Sequence, residues 1–340
     1  AQLGLVATDM AISDSGLDIK NLNADRIGVS IGSGAGGLLF HEQEMMAIVK
    51  GIHQEAHPFS IPKVSPNAIA SWIAIVYGIK GPNISITTAC ASGAHGIGQG
   101  LDMIRLGKAD VVLAGGAEAP LTPFSFSAFS SMRVMSKSNE EPQKVMKPFD
   151  RKRDGFIMGE GSGILILEDL NHALKRKTKI YAELIGYGMS NGCYHMVIPS
   201  PDGEDYIRAM KMAIKDAGIS PNKIDYINAH GTSTQANDLT ETVAIKQVFG
   251  KDAYNIPISS TKSMTGHLLG ASGAVEMAAC VMTLNSGMIH PTINYETPDP
   301  NCDLDYVPNK ARGKKMKIIL SNSFGFGGNN ASLIIKEYER

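Results

Sequence analysis

Residues 84–100 read ISITTACASGAHGIGQG, and the order of residue types in this stretch decides the architecture. Residues 84–88 are apolar and β-branched, the composition of a buried strand. Cys90 follows at once, then small residues and glycines, then an amphipathic run over 97–106. Strand, sharp turn, cysteine, helix is the order of a nucleophile elbow, although the serine-hydrolase consensus is absent. It sets the sulfur near a helix N-terminus, where unpaired N–H groups and the positive end of the dipole favour a thiolate. Ala89, Ala91, Ser92, Gly93 and Gly96 leave room for another molecule to approach. A free cysteine is usually a small buried hydrophobe, so this stretch alone leaves both readings open.

The rest of the composition narrows the class. The chain has 340 residues, 43% hydrophobic and 19% charged, enough for a sizeable core in one large or two ordinary domains. A formal net charge of -1 gives no reason to expect nucleic acid as a partner. No apolar run approaches the ~18 residues of a membrane helix, so no membrane partner is expected. The first residues lack the regions of a signal peptide, and the expected location is the cytoplasm, or an organellar matrix in a eukaryote. Cys90, Cys193, Cys280 and Cys302 are scattered without paired spacing, which argues against a zinc site or a disulfide framework.

Read in order, the chain alternates helix and strand. Residues 1–16 look like the end of a helix closed by Gly16. Residues 26–31 form a strand followed by GSGAGG, and 38–50 and 67–77 are helical by period. A strand at 110–114 precedes a long Ser-, Met- and Phe-rich excursion over 120–147. The pattern then restarts: MAISDSGL from Met10 is echoed by MAIKDAGI from Met212. Each echo leads to a strand (26–31; 223–229) and a glycine-bearing turn, then a Ser/Thr-ended strand, a Gly/Ala-rich helix and a final strand pair. Self-similarity of this kind implies two related halves, here residues 1–178 and 179–340, and alternating elements imply layered α/β sheets. The second half opens with the strand KIYAELIGYG, well ahead of Met212. Its first-half counterpart would precede Ala1, so the first half is expected to lack its opening strand and the following helix segment.

Polar groups gather where the second-half strands end. Residues 223–229 run into AHGTST, with His230, Thr232 and Thr234. Residues 257–259 run into STKSMTGHLLGASGAVE, with Lys262, His267 and Glu276. Ligands of α/β sheets gather at the carboxyl ends of strands. A cysteine with neutral imidazoles suits covalent acyl transfer, in which a thiolate attacks and hydrogen-bond donors hold the developing charge. SNSFGFGGNN over 321–330 reads as a hairpin turn, and beside a nucleophile its N–H groups would complete an oxyanion hole. Phe324 and Phe326 would then close over an apolar chain. Gly32, Gly34 and Gly37 fit G-x-G-x-x-G, but the acidic residue wanted at a second strand end is replaced by a Pro-rich loop holding Glu55, so nucleotide binding is not expected. FDRKRDGF carries three adjacent basic residues, either a solvated turn or part of a docking patch for an acidic partner.

TACASG, AHGTST, STKSMTGHLLGASGAVE and SNSFGFGG, in this order, resemble a β-ketoacyl-[acyl carrier protein] synthase, closest to the type II synthases of fatty-acid synthesis. The resemblance spans nearly the whole chain. It implies a thiolase-like α/β fold of two duplicated halves in a five-layered αβαβα arrangement, with a homodimer as the usual assembly. It makes Cys90 the nucleophile that takes the acyl chain. His230 and His267 become the pair that promotes malonyl decarboxylation, and Lys262, partnered by Glu276, orders them. It implies an oxyanion hole of the Cys90 and Phe326 N–H groups, with gating by the Phe324–Gly325–Phe326 turn. Thr232 and Thr234 would meet the phosphopantetheine arm, and Arg133 the acidic carrier protein. Ala35 falls where type II synthases often carry a bulkier isoleucine, at the gate of the acyl tunnel. The partners implied are acyl- and malonyl-loaded acyl carrier protein. No resident cofactor is expected, because phosphopantetheine arrives on the carrier. The family's opening strand, absent here, is expected inside the first-half sheet.

Other readings stay open at this point. A thiolase would want a second cysteine in the SNSFGFGG turn, and a cysteine hydrolase would leave Lys262 and one histidine unexplained. A polyketide ketosynthase, a truncated homologue and a non-catalytic carrier-binding module remain as alternatives.

Overall fold

A computed structural model describes residues 1–139 and 141–339. The chain forms two compact units. Unit 1 holds Ala1–Ser131, Gly159–Lys179 and Leu268–Val275; unit 2 holds Met132–Met158, Ile180–His267 and the chain from Glu276 onward. Residues 132–158 thus lie in the first half of the sequence yet pack in unit 2, and residues 268–275 do the reverse.

Unit 1 opens with α1 (Gln2–Ser15), which closes on Gly16 at φ 61, a left-handed position that glycine occupies without strain. Then come β1 (Ile27–Gly32), α2 (Leu38–Val49), α3 (Ser60–Val64), α4 (Ala68–Tyr77) and β2 (Asn83–Ile86). After these lie α5 (Ser92–Arg105), β3 (Val111–Glu118), α6 (Pro123–Ser131), β4 (Gly161–Glu168) and α7 (Leu170–Lys175). The sheet runs β2-β1-β3-β4. β1 is parallel to β2 and β3, and β4 is antiparallel to β3. Every residue of β1 and β3 is buried, as expected for central parallel strands covered on both faces. Ile27, Val29, Ile31, Val111 and Leu113 pack with Ile69 and Ile73 of α4 in one core.

Unit 2 contains β5 (Glu183–Asn191), α8 (Glu204–Asp216), β6 (Tyr226–Asn228), α9 (Gln235–Phe249), β7 (Ile258–Ser259) and α10 (Lys262–Thr265). It continues through α11 (Ser272–Ser286), whose first turn belongs to unit 1, to β8 (Met288–Ile289), β9 (Arg312–Gly313), β10 (Ile318–Phe324) and β11 (Asn329–Lys336). Its main sheet runs β5-β11-β10-β6-β7. The order β7-β6-β10-β11 repeats β2-β1-β3-β4, and the strand directions repeat too. Both halves therefore carry one duplicated α/β motif.

A finer repeat lies at the elbow. Ala89–Ala91 and Leu269–Ala271 are single 3₁₀ turns, each running into a helix that starts on a serine, Ser92 or Ser272. Ala89 and Leu269 open these turns at φ 49 and φ 47. Non-glycine residues rarely occupy that region, and they do so where the surrounding structure holds them. Gly270 therefore occupies in one half the place that Cys90 occupies in the other.

Two expectations need correction. The strand before Cys90 is not buried: β2 is an edge strand, exposed at Asn83 and half-buried beyond it, and among the described residues only β1 pairs with it. The seat of an opening first-half strand is also not interior. In unit 2 the opening strand β5 lies at the sheet edge, bonded among the described residues to β11 alone. The strand matching β11 is β4, so the corresponding seat is the outer edge of β4.

Candidate active site

The cysteine side is built in unit 1 from close backbone packing. Cys90 is buried, in the turn between β2 and α5, at the positive end of that helix. Ser92 fixes the turn: its Oγ accepts from Thr88 N at 2.9 Å and donates to Ala89 O at 2.7 Å. Glycines let neighbouring backbones reach this turn. A Cβ on Gly32 would fall on the Ser92 backbone, and one on Gly93 would come within 2.9 Å of Gly270 O. The G-x-G-x-x-G loop holds no open anion cradle. Gly34 and Ala35 donate their N–H groups to the Glu118 carboxylate, so an acidic side chain of the protein already occupies the place a phosphate would take. Ala35 itself is half-buried.

The histidine side is built in unit 2. His230 follows β6 and Lys262 opens α10 after β7, as the carboxyl-end rule requires. Their rings and chains are fully enclosed. Lys262 Nζ lies 2.6 Å from His230 O, 3.2 Å from His230 Nδ1 and 2.5 Å from Glu276 Oε1. An ammonium has three donors, and these three acceptors use all of them. His230 Nδ1 must then accept, which leaves the proton of a neutral ring on Nε2. Burial first, then the charge of Lys262 and the neighbouring His267, holds the His230 pKa well below the usual histidine range. Burial and Lys262 do the same to His267. The two rings stand edge to face at 5.4 Å, and Phe156 meets His267 edge-on at 5.2 Å. His267 N donates to Ile157 O at 2.7 Å, so residues 156–158 brace it. Both imidazoles are thus held neutral, and His230 carries its proton on Nε2 as a donor. Burial raises the Glu276 pKa against the pull of Lys262.

Three functional supports were not legible in the motifs. Glu241, fully buried on α9, accepts from His230 N at 2.9 Å and Gly231 N at 2.8 Å. Asn322 of β10 donates to the same carboxylate at 3.2 Å. Burial pushes the Glu241 pKa up to about 7 against these hydrogen bonds. Asp238, one turn earlier, accepts from Phe149 N and Ser233 N. Two acids three apart on a helix that also buries Ala244, Ile245 and Phe249 were the available signal, since buried acids need dedicated partners.

The remaining expected residues fall as follows. Thr232 is buried and its hydroxyl lies 2.9 Å from that of Thr234. Thr234 also caps α9 by accepting from Asn237 N. Phe326 and Gly325 lie in the turn after β10, where Gly325 N donates to Asn329 O at 2.7 Å. Phe324 is corrected: it does not stand free to close over a chain. It is buried, stacked on Tyr206 at 3.6 Å and edge-on to His230 at 5.8 Å, and so backs the histidine. Arg133 is exposed, with φ 58. The FDRKRDGF turn is neither simply solvated nor wholly a docking patch. Arg153 is buried, 2.6 Å from Asp299 and 3.7 Å from Asp238, and bonds the carbonyls of Thr234 and Gln235. Only Arg151 and Lys152 of the three face solvent.

Duplicated α/β sheets carrying a strained cysteine turn and a lysine-ordered histidine beside a second histidine define the class, a condensing acyltransferase of thiolase-like fold. The family model "Beta-ketoacyl synthase, N-terminal domain" matches residues 1–173, and "Beta-ketoacyl synthase, C-terminal domain" matches residues 181–296. The chain belongs to the β-ketoacyl synthase family. It is 51% identical over 334 residues to a 3-oxoacyl-[acyl-carrier-protein] synthase 2 of Synechocystis, covering 98% of this chain and 80% of the relative. The corresponding protein of Coxiella burnetii is 47% identical, with 98% and 81% covered. Among solved structures, a type II polyketide ketosynthase in complex with its acyl-carrier protein superposes with a TM-score of 0.96 at 40% identity, covering 99% of this chain and 84% of that one. A β-ketoacyl synthase from Burkholderia phymatum gives 0.93 at 34% identity, covering 100% and 83%.

Proposed function

We propose that the protein elongates fatty acyl chains by decarboxylative condensation, converting an acyl group and malonyl-carrier into 3-oxoacyl-carrier, CO2 and free carrier. Cys90 Sγ attacks the carbonyl of the acyl thioester, the carrier's thiol leaves with the proton, and the chain is held on Cys90. Malonyl-carrier then loses CO2 by cleavage of its carboxylate carbon bond. The electron pair moves onto the thioester oxygen, where Nε2–H of His230 and the ring of His267 stabilise it. The enolate carbon attacks the acyl-Cys90 carbonyl. The resulting oxyanion takes N–H bonds from Cys90 and Phe326, then collapses and expels the Cys90 sulfur. Splitting the reaction through a covalent intermediate keeps one reactive species in play at a time. The single observation that carries this reading is the threefold engagement of Lys262, which commits His230 to the donor tautomer.

Thr232 and Thr234 contact the phosphopantetheine arm in this proposal, and the arm is the only prosthetic group it uses. Arg133, with exposed Arg151 and Lys152, meets the acidic carrier. A homodimer is the proposed assembly, supported by the edge strand β2 and by Trp72, Ile75 and Val76 exposed on the adjacent α4. No helix among the described residues is long and apolar enough to cross a membrane, and we assign the reaction to the cytoplasm or an organellar matrix. The test is to incubate the protein with octanoyl-carrier and malonyl-carrier and analyse the product. One round giving 3-oxodecanoyl-carrier with one CO2 supports the reading; no condensation contradicts it. The polyketide ketosynthase neighbour motivates a second reading. Repeated condensation to an unreduced poly-β-keto chain in the same tube would favour it.

A further inference from the structure

The carboxylate of Glu118 ends β3 and is almost fully buried, although the proposed chemistry leaves it no part. It accepts four hydrogen bonds. Ser33 Oγ and Ala35 N donate to Oε1 at 3.1 and 3.2 Å; Gly34 N and Gly270 N donate to Oε2 at 2.5 and 3.2 Å. One side chain thus grips two backbone turns, residues 33–35 after β1 and the Leu269–Ala271 turn. Both border the Cys90 elbow. A Cβ on Gly34 would lie 3.7 Å from Ala89 O, and Gly270 O stands beside Gly93.

Residues 33–37, whose backbone borders the Cys90 elbow at Ala89, form a wall of glycines, one alanine and one serine. Such a wall has almost no side chain to set its position. Its place is fixed by what holds its backbone, and interiors transmit small displacements to whatever packs against them. We propose that Glu118 is a positioning residue for acyl-chain selection: by pinning residues 33–35 and Gly270 it fixes the wall along which a chain on Cys90 extends. The proposal rests on the reading of Cys90 as the acyl acceptor. A short chain ends before a displaced wall matters, and a long one runs its full length along it.

Glu118→Gln keeps the size but replaces one acceptor oxygen by an amide NH2. In either orientation that NH2 faces a backbone donor, either Ala35 N or Gly34 N with Gly270 N. The experiment measures acylation of Cys90 by butanoyl- and dodecanoyl-carrier, by intact mass, in the parent and in Glu118→Gln. The expected result is a dodecanoyl-to-butanoyl rate ratio lowered by about tenfold, the scale of small shape changes in an apolar pocket. Should Glu118→Gln fail to fold, Ser33→Ala, which removes one of the four donors, decides alone by a smaller fall in the same ratio. An unchanged ratio in the folded variant overturns the proposal, because a merely structural residue would slow both chains alike. A parent that takes neither chain overturns the acyl-acceptor reading itself, and the proposal with it. A parent that takes both, with no length split in the variant, overturns the proposal alone.

Discussion

Replacing Lys262 by methionine separates what the lysine does for stability from what it does for chemistry. Its Nζ is fully enclosed and its three bonds go to His230 O, His230 Nδ1 and Glu276. Removing one partner of a buried ion pair costs about 3–5 kcal/mol, because the other charge is left without compensation. Lys262→Met therefore lowers stability by up to that amount, lessened where Glu276 takes up a proton. Pairing it with Glu276→Gln removes the orphaned charge and restores most of the loss. Catalysis responds differently. In both variants nothing holds His230 Nδ1 as an acceptor, so the ring is free to place its proton there and lose the donor at Nε2. Loss of one preorganised donor slows a step by about 10²–10³-fold. Decarboxylation of malonyl-carrier, followed as CO2 release, is thus expected to fall by that factor in the single variant and to stay low in the double variant, while urea titration shows stability recovering. Recovery of CO2 release along with stability would refute the tautomer argument and leave Lys262 a purely structural residue.

Cys90→Ala is expected to abolish acyl transfer while retaining decarboxylation of malonyl-carrier, whereas replacing both His230 and His267 retains acylation by intact mass and stops condensation. Glu241 has its pKa raised from 4.5 to about 7 chiefly by burial, so the folded state binds the proton more tightly than the unfolded chain. Its contribution to stability is complete below pH 4.5 and is lost as pH rises through 7, and urea denaturation of Glu241→Gln should show a flatter fall across this window than the parent. Arg153→Met leaves Asp238 and Asp299 unpaired in the interior and should lower stability by about 3–5 kcal/mol, whereas Arg151→Ala and Lys152→Ala leave the denaturation midpoint in place. The same two surface changes should weaken carrier binding at low salt and lose their effect as salt rises, read by titration calorimetry.

Much of this was legible because the chemistry sits in short contiguous motifs. The order strand–Cys90–helix, and His230 and Lys262 just past apolar runs, follow from local patterning alone. The duplication was visible in the echo of Met10 and Met212, and the matching sheet orders give it physical form. What was hidden depends on partners far apart in sequence. Glu118 and Ala35 are separated by 83 residues, Arg153 and Asp299 by 146, and no local pattern marks such pairs. Phe324 reads as part of the gate because it stands in the same SNSFGFGG motif as Phe326. Its place is set instead by Tyr206, whose ring it covers. Strand β2 looked buried because Ile84 and Ile86 lead into Thr87 and Thr88, but it lies at the sheet edge, where among the described residues only β1 pairs with it.

The central claim is that one chain on Cys90 is both accepted and passed on. The direct measurement is intact mass of the protein after one equivalent of octanoyl-carrier, repeated after malonyl-carrier is added. The account predicts a single octanoyl adduct on Cys90 that disappears on addition of malonyl-carrier, with an equal amount of 3-oxodecanoyl-carrier formed. An adduct that persists, or one that leaves as free octanoate without condensed product, would contradict it.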